Sequence, residues 1–561
     1  MAEGPGGGTA GVTVRFDVPA TMADGVVLAS DVYAPAAGDD LPTLLLRTPY
    51  GKQTVLETAW TGIDPVAAAQ AGFLVVIQDT RGRFASGGEW EPLRHEASDG
   101  AESVEWAARL PRSSGRVAMF GGSYSGSTQW QAALEQPPSL AALSATMTWA
   151  DPRDGVFSRG GVLELGLDLP WSLVTGIDDL VRRHGDDEVG LMTRIDAVLD
   201  ELDDLGEAGY RRPREVLARH GVRDLGSLAA VDRGPVASTA DLAGRQRRAG
   251  VPTLHTGGWY DIFLQGTIDN HLAMVEAGHD SWLVVGPWSH ENFTQAVGQV
   301  DFGIRARRDS PAVLPPVGPW PDAQLAWLRH HLEEAPVPLD LPRVRVFVMG
   351  RNQWRTEAVW PPASARDTEV FLHPDGGLAP VPPAAGPATI GFSYDPADPV
   401  PTVGGNTFMT AQFPAGPFDQ SGVEARADVL TFTSEVLDTD LEVAGRVRAH
   451  LVASSSAPTV DWVVRLCDVH PDGRSINVCD GVLRVEGADQ PRAHTIDLWS
   501  TSMVFLAGHR LRVHVTTSSF PRWETTGLSD TGDTHRAVIH VGGEHRSTLV
   551  LPVLPPTGDS P

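Results

Sequence analysis

The chain is poor in cysteine and nearly devoid of lysine. Two cysteines, Cys467 and Cys479, stand in 561 residues. That is too few for a disulfide framework or a cysteine-built metal cluster. Both fall in a strand-rich stretch, where buried free thiols are expected. Of the 44 basic residues only Lys52 is a lysine, which reads as compositional bias rather than mechanism. Positive charge is scarce overall, since 71 acidic residues leave a formal net charge of −27. Nucleic acid and anionic membranes are therefore excluded as partners. No run of about 18 apolar residues exists, so no spanning helix is expected. Residues 1–11 are Gly-rich and lack the basic and apolar regions of a signal peptide. They are expected to be disordered, and the protein cytoplasmic.

What is present suits large cores, with 16 Trp and 17 Phe. At this length several domains are expected. Residues 12–148 alternate strand and helix signals. The run Phe73-Leu74-Val75-Val76-Ile77 suits a strand buried on both faces. Asp99 and Glu102 have capping-box spacing before a helix carrying Val104, Trp106 and Leu110. Over 149–240 strand signals give way to charged helical segments, which reads as a helical insertion. The α/β pattern resumes over 241–345 and ends in an amphipathic helix over 322–334. From 346 to 561 the chain reads as short strands with Gly/Pro turns, a β jelly roll. The fold class is thus α/β, a parallel sheet covered by helices, interrupted by a cap and followed by a β domain.

The most informative local pattern is the apolar strand Arg116-Val117-Ala118-Met119-Phe120 running into Gly121-Gly122-Ser123-Tyr124-Ser125-Gly126 and then a helix. Strand, tight glycine turn and helix form the context of a nucleophile elbow, with Ser123 at its tip. A serine placed there needs a base and an acid to orient it. In α/β-hydrolases these follow in the order Ser, Asp, His. Two later strands lead into Gly257-Gly258-Trp259-Tyr260-Asp261 and Gly286-Pro287-Trp288-Ser289-His290. Ser123, Asp261 and His290 would then all lie at the carboxyl ends of parallel strands, where sites form in open α/β sheets. The backbone N–H of Tyr124 is one expected oxyanion donor. The second should come from the loop Arg47-Thr48-Pro49-Tyr50-Gly51-Lys52, where the Tyr50 phenol could serve.

These stretches resemble the cocaine esterase-like acyl hydrolases of the X-Pro dipeptidyl-peptidase (CocE/NonD) family. So do Ile77-Gln78-Asp79-Thr80-Arg81-Gly82-Arg83-Phe84-Ala85-Ser86-Gly87-Gly88-Glu89 and Tyr394-Asp395-Pro396-Ala397-Asp398-Pro399-Val400-Pro401. The resemblance implies an α/β-hydrolase domain, an inserted helical cap and a C-terminal jelly roll. It implies Ser123 as nucleophile, His290 as base, Asp261 as its partner, and the Tyr50 hydroxyl with the Tyr124 amide as oxyanion hole. It implies an acyl pocket lined by Phe263, Phe157 and Trp171 and closed by Phe408 and Met409. Neither a metal nor another cofactor is implied; the substrate is a small-molecule ester, with an X-Pro dipeptidyl-peptidase or an acyltransferase as the alternative. The sequence is compatible with a homodimer. Relatives acting on α-amino-acid esters carry acidic residues just after the catalytic Asp. Here Ile262, Phe263 and Leu264 follow Asp261. An ammonium set against them would lose hydration without gaining a partner, unless the cap supplies a carboxylate.

Overall fold

The computed structural model describes residues 11–54, 56–223, 244–315, 318–334, 339–526 and 534–555. The expected disorder over 1–11 lies outside them but for Gly11, whose carbonyl accepts from Ala36 N at 2.7 Å. Residues 224–240 of the expected cap also lie outside.

Ten strands form the first sheet: β1 (Val12–Thr21), β2 (Val27–Pro35), β3 (Leu41–Thr48), β4 (Leu74–Asp79), β5 (Ser113–Gly122), β6 (Leu140–Thr146), β7 (Thr253–Tyr260), β8 (Ser281–Ser289), β9 (Val344–Val348) and β10 (Gln353–Glu357). Their spatial order is β1-β2-β4-β3-β5-β6-β7-β8-β9-β10. The run from β4 to β9 is parallel, and β1, β2 and β10 are antiparallel edges.

Side chains alternate across a strand, and the central strands are apolar on both faces. Leu44, Leu46, Val75, Ile77, Ala118 and Phe120 enter one core. There they meet Trp320, Trp327 and Leu328 of helix Trp320–Leu332. Leu45, Leu74, Val76, Val117 and Met119 enter the other, against Val104, Trp130 and Leu134. The latter belong to the helices Glu96–Ala108 and Tyr124–Leu134.

Two sequence expectations shift. The capping box at Asp99 does not form: that helix begins at Glu96, and Asp99 takes two hydrogen bonds from Arg81 (2.9 and 2.6 Å). A buried guanidinium in bidentate reach outcompetes a backbone cap. The border at 345/346 also moves, since β9 and β10 belong to the first sheet. Beyond them the chain is mostly antiparallel strands, among them β11 (Leu441–Ser455), β12 (Thr459–Val469), β13 (Ser475–Glu486), β14 (Arg492–Phe505) and β15 (Arg510–Thr516).

The cap is built on helices α1 (Leu165–His184), α2 (Glu188–Asp204) and α3 (Pro213–His220). Pro170 inside α1 has no N–H to give to the carbonyl four residues back. That carbonyl, of Gly166, accepts from the Tyr210 hydroxyl at 3.4 Å. Among the described residues no helix is long and apolar enough to cross a membrane.

The lone lysine organises the loop after β3. Lys52 Nζ lies 2.9 Å from Asp17, 3.5 Å from Asp31 and 3.7 Å from Asp79. Burial pushes the Asp79 carboxyl up to about 6, although Lys52 and backbone N–H groups oppose this. An acid with a raised folded-state pKa binds its proton more tightly folded than unfolded. Its contribution is therefore full below the ordinary carboxyl range and is lost as pH rises to about 6. Over that window, ~4 to 6, wild type should lose about 3 kcal/mol relative to Asp79→Asn. Denaturant melts of both proteins at pH 4, 5, 6 and 7 test this; parallel curves would refute it.

Candidate active site

Ser123 sits between β5 and the helix Tyr124–Leu134 with φ 56° and ψ −124°, a strained conformation for a residue with a Cβ. The fold holds it there. Ser123 N donates to Thr146 O (3.0 Å) and Met147 O (3.2 Å), and its carbonyl accepts from Thr148 Oγ1 (2.9 Å). Gly121 is required behind it. With φ +152°, a Cβ there would come within 2.7 Å of Ser125 Cβ and 2.8 Å of its carbonyl oxygen.

Asp261 and His290 are brought together by strand register. β7 and β8 run parallel with Tyr260 opposite Ser289, so the next residue of each strand emerges beside the other. The strands run further than the sequence suggested, through Gly257–Gly258 and Gly286–Ser289. His290 Nδ1 and Asp261 Oδ2 are 2.6 Å apart. The other carboxylate oxygen accepts from Phe263 N at 2.9 Å, which fixes the carboxylate plane. Nδ1 must carry the proton to donate to the carboxylate, so the lone pair falls on Nε2. His290 Nε2 is buried and has no hydrogen-bond partner among the described residues. Asn406, from the C-terminal domain, braces this turn through the carbonyls of Trp259 (2.6 Å) and Asp261 (3.3 Å).

Ser123 opens into a cavity lined also by Tyr50, Leu93, Tyr124, Trp149, Val156, Phe157, Leu167, Asp168, Trp171, Phe263 and Phe408. Phe263 and Phe408 both pack on the His290 ring, at 5.2 and 4.6 Å between centroids. The cavity thus adjoins the His–Asp pair.

The two tyrosines differ. Tyr124 is buried, accepts from Leu93 N (2.7 Å) and donates to Glu96 Oε1 (3.0 Å). Glu96 in turn pairs with the buried Arg47 at 2.9 Å. Its side chain is an anchor, which leaves only its backbone to act at the serine. Tyr50 faces the cavity, and its hydroxyl oxygen accepts from Trp171 Nε1 at 3.3 Å. That contact uses a lone pair and not the phenol proton. The Tyr50 loop is tied to the cap by Arg83, which donates to Pro49 O (2.7 Å) and Thr175 O (2.9 Å) and pairs with Asp178 (3.3 Å).

Of the expected pocket residues, Phe263, Phe157, Trp171 and Phe408 line the cavity. Met409 does not. It packs against the cap core, where its Sδ would lie 2.7 Å from a Cβ added to Gly166. Sequence reasoning missed Trp149, Leu167 and Asp168. Asp168 supplies the cap carboxylate that the sequence left open. It is buried and one turn from Trp171 on α1. Spacing of three residues puts the two on one helix face, the one signal that could have found it.

A parallel sheet carrying a strained serine at a strand–helix elbow, with a histidine–aspartate pair beyond two later strands, is the architecture of an α/β-hydrolase. Comparison with known proteins narrows the class. Residues 24–292 match the family model of the X-Pro dipeptidyl-peptidase (S15 family), and residues 337–550 that of the X-Pro dipeptidyl-peptidase C-terminal non-catalytic domain. The cocaine esterase of Rhodococcus sp. (strain MB1 Bresler) is 34% identical over 97% of this chain and 99% of its own length. A solved α-amino acid ester hydrolase superposes with TM-score 0.77 at 23% identity, covering 99% of this chain and 98% of that one. A CocE/NonD family hydrolase from Staphylococcus aureus gives TM-score 0.68 at 18% identity, over 96% and 94%. The chain belongs to the cocaine esterase-like (CocE/NonD) hydrolases of the X-Pro dipeptidyl-peptidase family, and it is a serine hydrolase of ester bonds.

Proposed function

We propose that the enzyme cleaves small carboxylic esters through an acyl-enzyme on Ser123, with a preference for neutral aromatic or short acyl groups. The observation that carries this reading is the aromatic cavity shared by Ser123, Phe263 and Phe408 beside the His290–Asp261 pair. Ser123 Oγ adds to the ester carbonyl carbon while its proton passes to His290 Nε2. The oxyanion is held by the Tyr50 hydroxyl and the Tyr124 N–H. As the C–O bond breaks, His290 returns the proton to the leaving alcohol. Water then attacks the acyl carbon by the same route, and the acid leaves with Ser123 restored. Asp261 fixes the tautomer and stabilises the transient imidazolium. No step requires a metal or other cofactor.

Burying an acyl group against these walls gains roughly 25 cal/mol per Å² of apolar area removed from water. An X-Pro dipeptidyl-peptidase or acyltransferase using the same three residues is the alternative. One observation favours a second substrate reading: Asp168 stands on the wall of the same cavity, and a buried carboxylate suits an acyl group bearing an ammonium or N–H donor. A plate comparing benzoyl, short acyl, phenylglycyl and X-Pro anilide substrates separates these. The neutral aryl esters are expected to have the highest kcat/KM. If the phenylglycyl ester or X-Pro anilide leads, and Asp168→Asn lowers that lead by ~10-fold or more, the neutral-acyl preference is wrong.

Tyr50→Phe should lower kcat roughly 10²–10³-fold with KM within a few-fold, because the lost donor acts mainly in the transition state. Tyr124→Phe keeps its backbone donor but strips Glu96 of a hydrogen bond. It should cost stability, about 1–3 kcal/mol, more than rate. Steady-state kinetics beside thermal melts read both; near-normal kcat in Tyr50→Phe would return Tyr50 to a packing role.

A further inference from the structure

We propose that Asp468, His470 and His509 form a binding site for one first-row divalent cation such as Zn²⁺ or Co²⁺, at an end of the C-terminal β domain. The three residues stand at one end of two paired strands. β12 ends at Val469, whose partner on the antiparallel neighbour β15 is Arg510. Asp468 precedes that rung on one strand, while His470 and His509 step past it on both. Each histidine is fixed by a turn. His470 N donates to Arg474 O (2.8 Å) and its carbonyl accepts from Gly473 N (2.9 Å). His509 N donates to Leu506 O (3.0 Å), and its carbonyl accepts from Leu437 N (2.9 Å).

The donor atoms are close enough for one ion. His509 Nδ1 lies 2.9 and 3.0 Å from the two oxygens of Asp468, and His470 Nε2 lies 3.5 Å from Oδ2. One ligand atom from each residue falls within 4.8 Å of the others. Bonds of about 2.0–2.1 Å in a tetrahedral site put ligand atoms about 3.3 Å apart, so the observed spacings bracket what is needed. The imidazole rings stand 4.6 Å apart between centroids. Asp468 is 3% exposed while His470 and His509 are 29% and 11% exposed. The carboxylate is thus preset in the interior, and the outer side stays open to water as a further ligand.

Ligand chemistry selects the ion. Two imidazoles and one carboxylate suit zinc or cobalt; calcium and magnesium prefer oxygen donors. Binding through Nδ1 takes the neutral ring with its proton on Nε2, so the contact between His509 Nδ1 and Asp468 gives way to a bond from each to the ion. Arg474, the nearby cation, is occupied by Asp472 at 2.8 Å. A second cluster in this domain, Glu424, Cys467 and His514, serves as a contrast. There Arg512 already pairs with Glu424, and burial pushes the Cys467 thiol up to about 12. A protonated thiol beside a guanidinium is a poor cation ligand.

The test uses the full-length, untagged protein stripped with chelator and titrated with Co²⁺, read by visible absorption. Zn²⁺ serves as competitor, and thermal melts are run alongside. One Co²⁺ per chain is expected, displaced by Zn²⁺, with a rise in melting temperature that grows with metal concentration. His470→Ala should weaken Co²⁺ binding at least ~10-fold, while its melt in chelator matches wild type and shows the variant folded. Asp468→Asn should do the same to binding. The proposal is overturned if the wild type takes up no Co²⁺, or if both variants bind it as wild type does, which would assign uptake to other histidines.

Discussion

Replacing Ser123 by alanine is expected to remove turnover, a loss on the order of 10⁶ in kcat if the residues act as one unit. The expectation rests on local geometry. Ser123 holds its side chain at positive φ in the strand–helix elbow, on the wall of the aromatic cavity. The neighbouring candidates are placed otherwise. Ser125 is fully buried in the following helix, and Ser289 is the last residue of β8. A fluorophosphonate should label Ser123 alone, read by peptide mass spectrometry. Label on Ser125 or Ser289, or label that survives in Ser123→Ala, would remove Ser123 from its role.

The second large effect belongs to Asp261→Asn, expected to cost on the order of 10⁴ in kcat. The volume hardly changes, and the amide oxygen can still accept from Phe263 N, so the turn should hold. The tautomer changes instead. An amide NH₂ facing His290 Nδ1 favours the form with its proton on Nε2, which can no longer accept from the serine. Saturating ester kinetics with a matched circular dichroism spectrum measure this. A loss under ~10-fold would mean that another group orients the histidine.

The elbow and the His–Asp pair were legible because each is written locally. A strand, a glycine turn and a polar residue leave a recognisable trace, and parallel register does the rest. The pocket wall was less legible. Trp149 is set against Ser123 by the turn after β6, where Thr148 and Asn270 hold the backbone, and Asp168, on a cap helix, reaches the serine only through the docking of the cap. Phe408 and Met409 are adjacent in sequence, yet one faces the serine and the other the cap, a division no periodicity announces. The sheet that takes β9 and β10 was not legible for a related reason. β9 reads as an apolar strand like those after it, and it joins the first sheet by pairing with β8, while the more polar β10 pairs in turn with β9. Asp99 shows the opposite failure, a sound local signal overridden by a distant arginine.

Arg83 gives the cap a thermodynamic link to catalysis. One guanidinium grips the Tyr50 loop at Pro49 and the cap helix at Thr175 and Asp178. Swinging the cap away would strip Arg83 of Thr175 and Asp178 and Tyr50 of its contact with Trp171, so on the role proposed for Tyr50 an open form would be a silent form. Linkage then runs both ways. A ligand that fills the acyl site should slow amide hydrogen exchange along α1, and loosening α1 should raise the barrier at Ser123 without touching it.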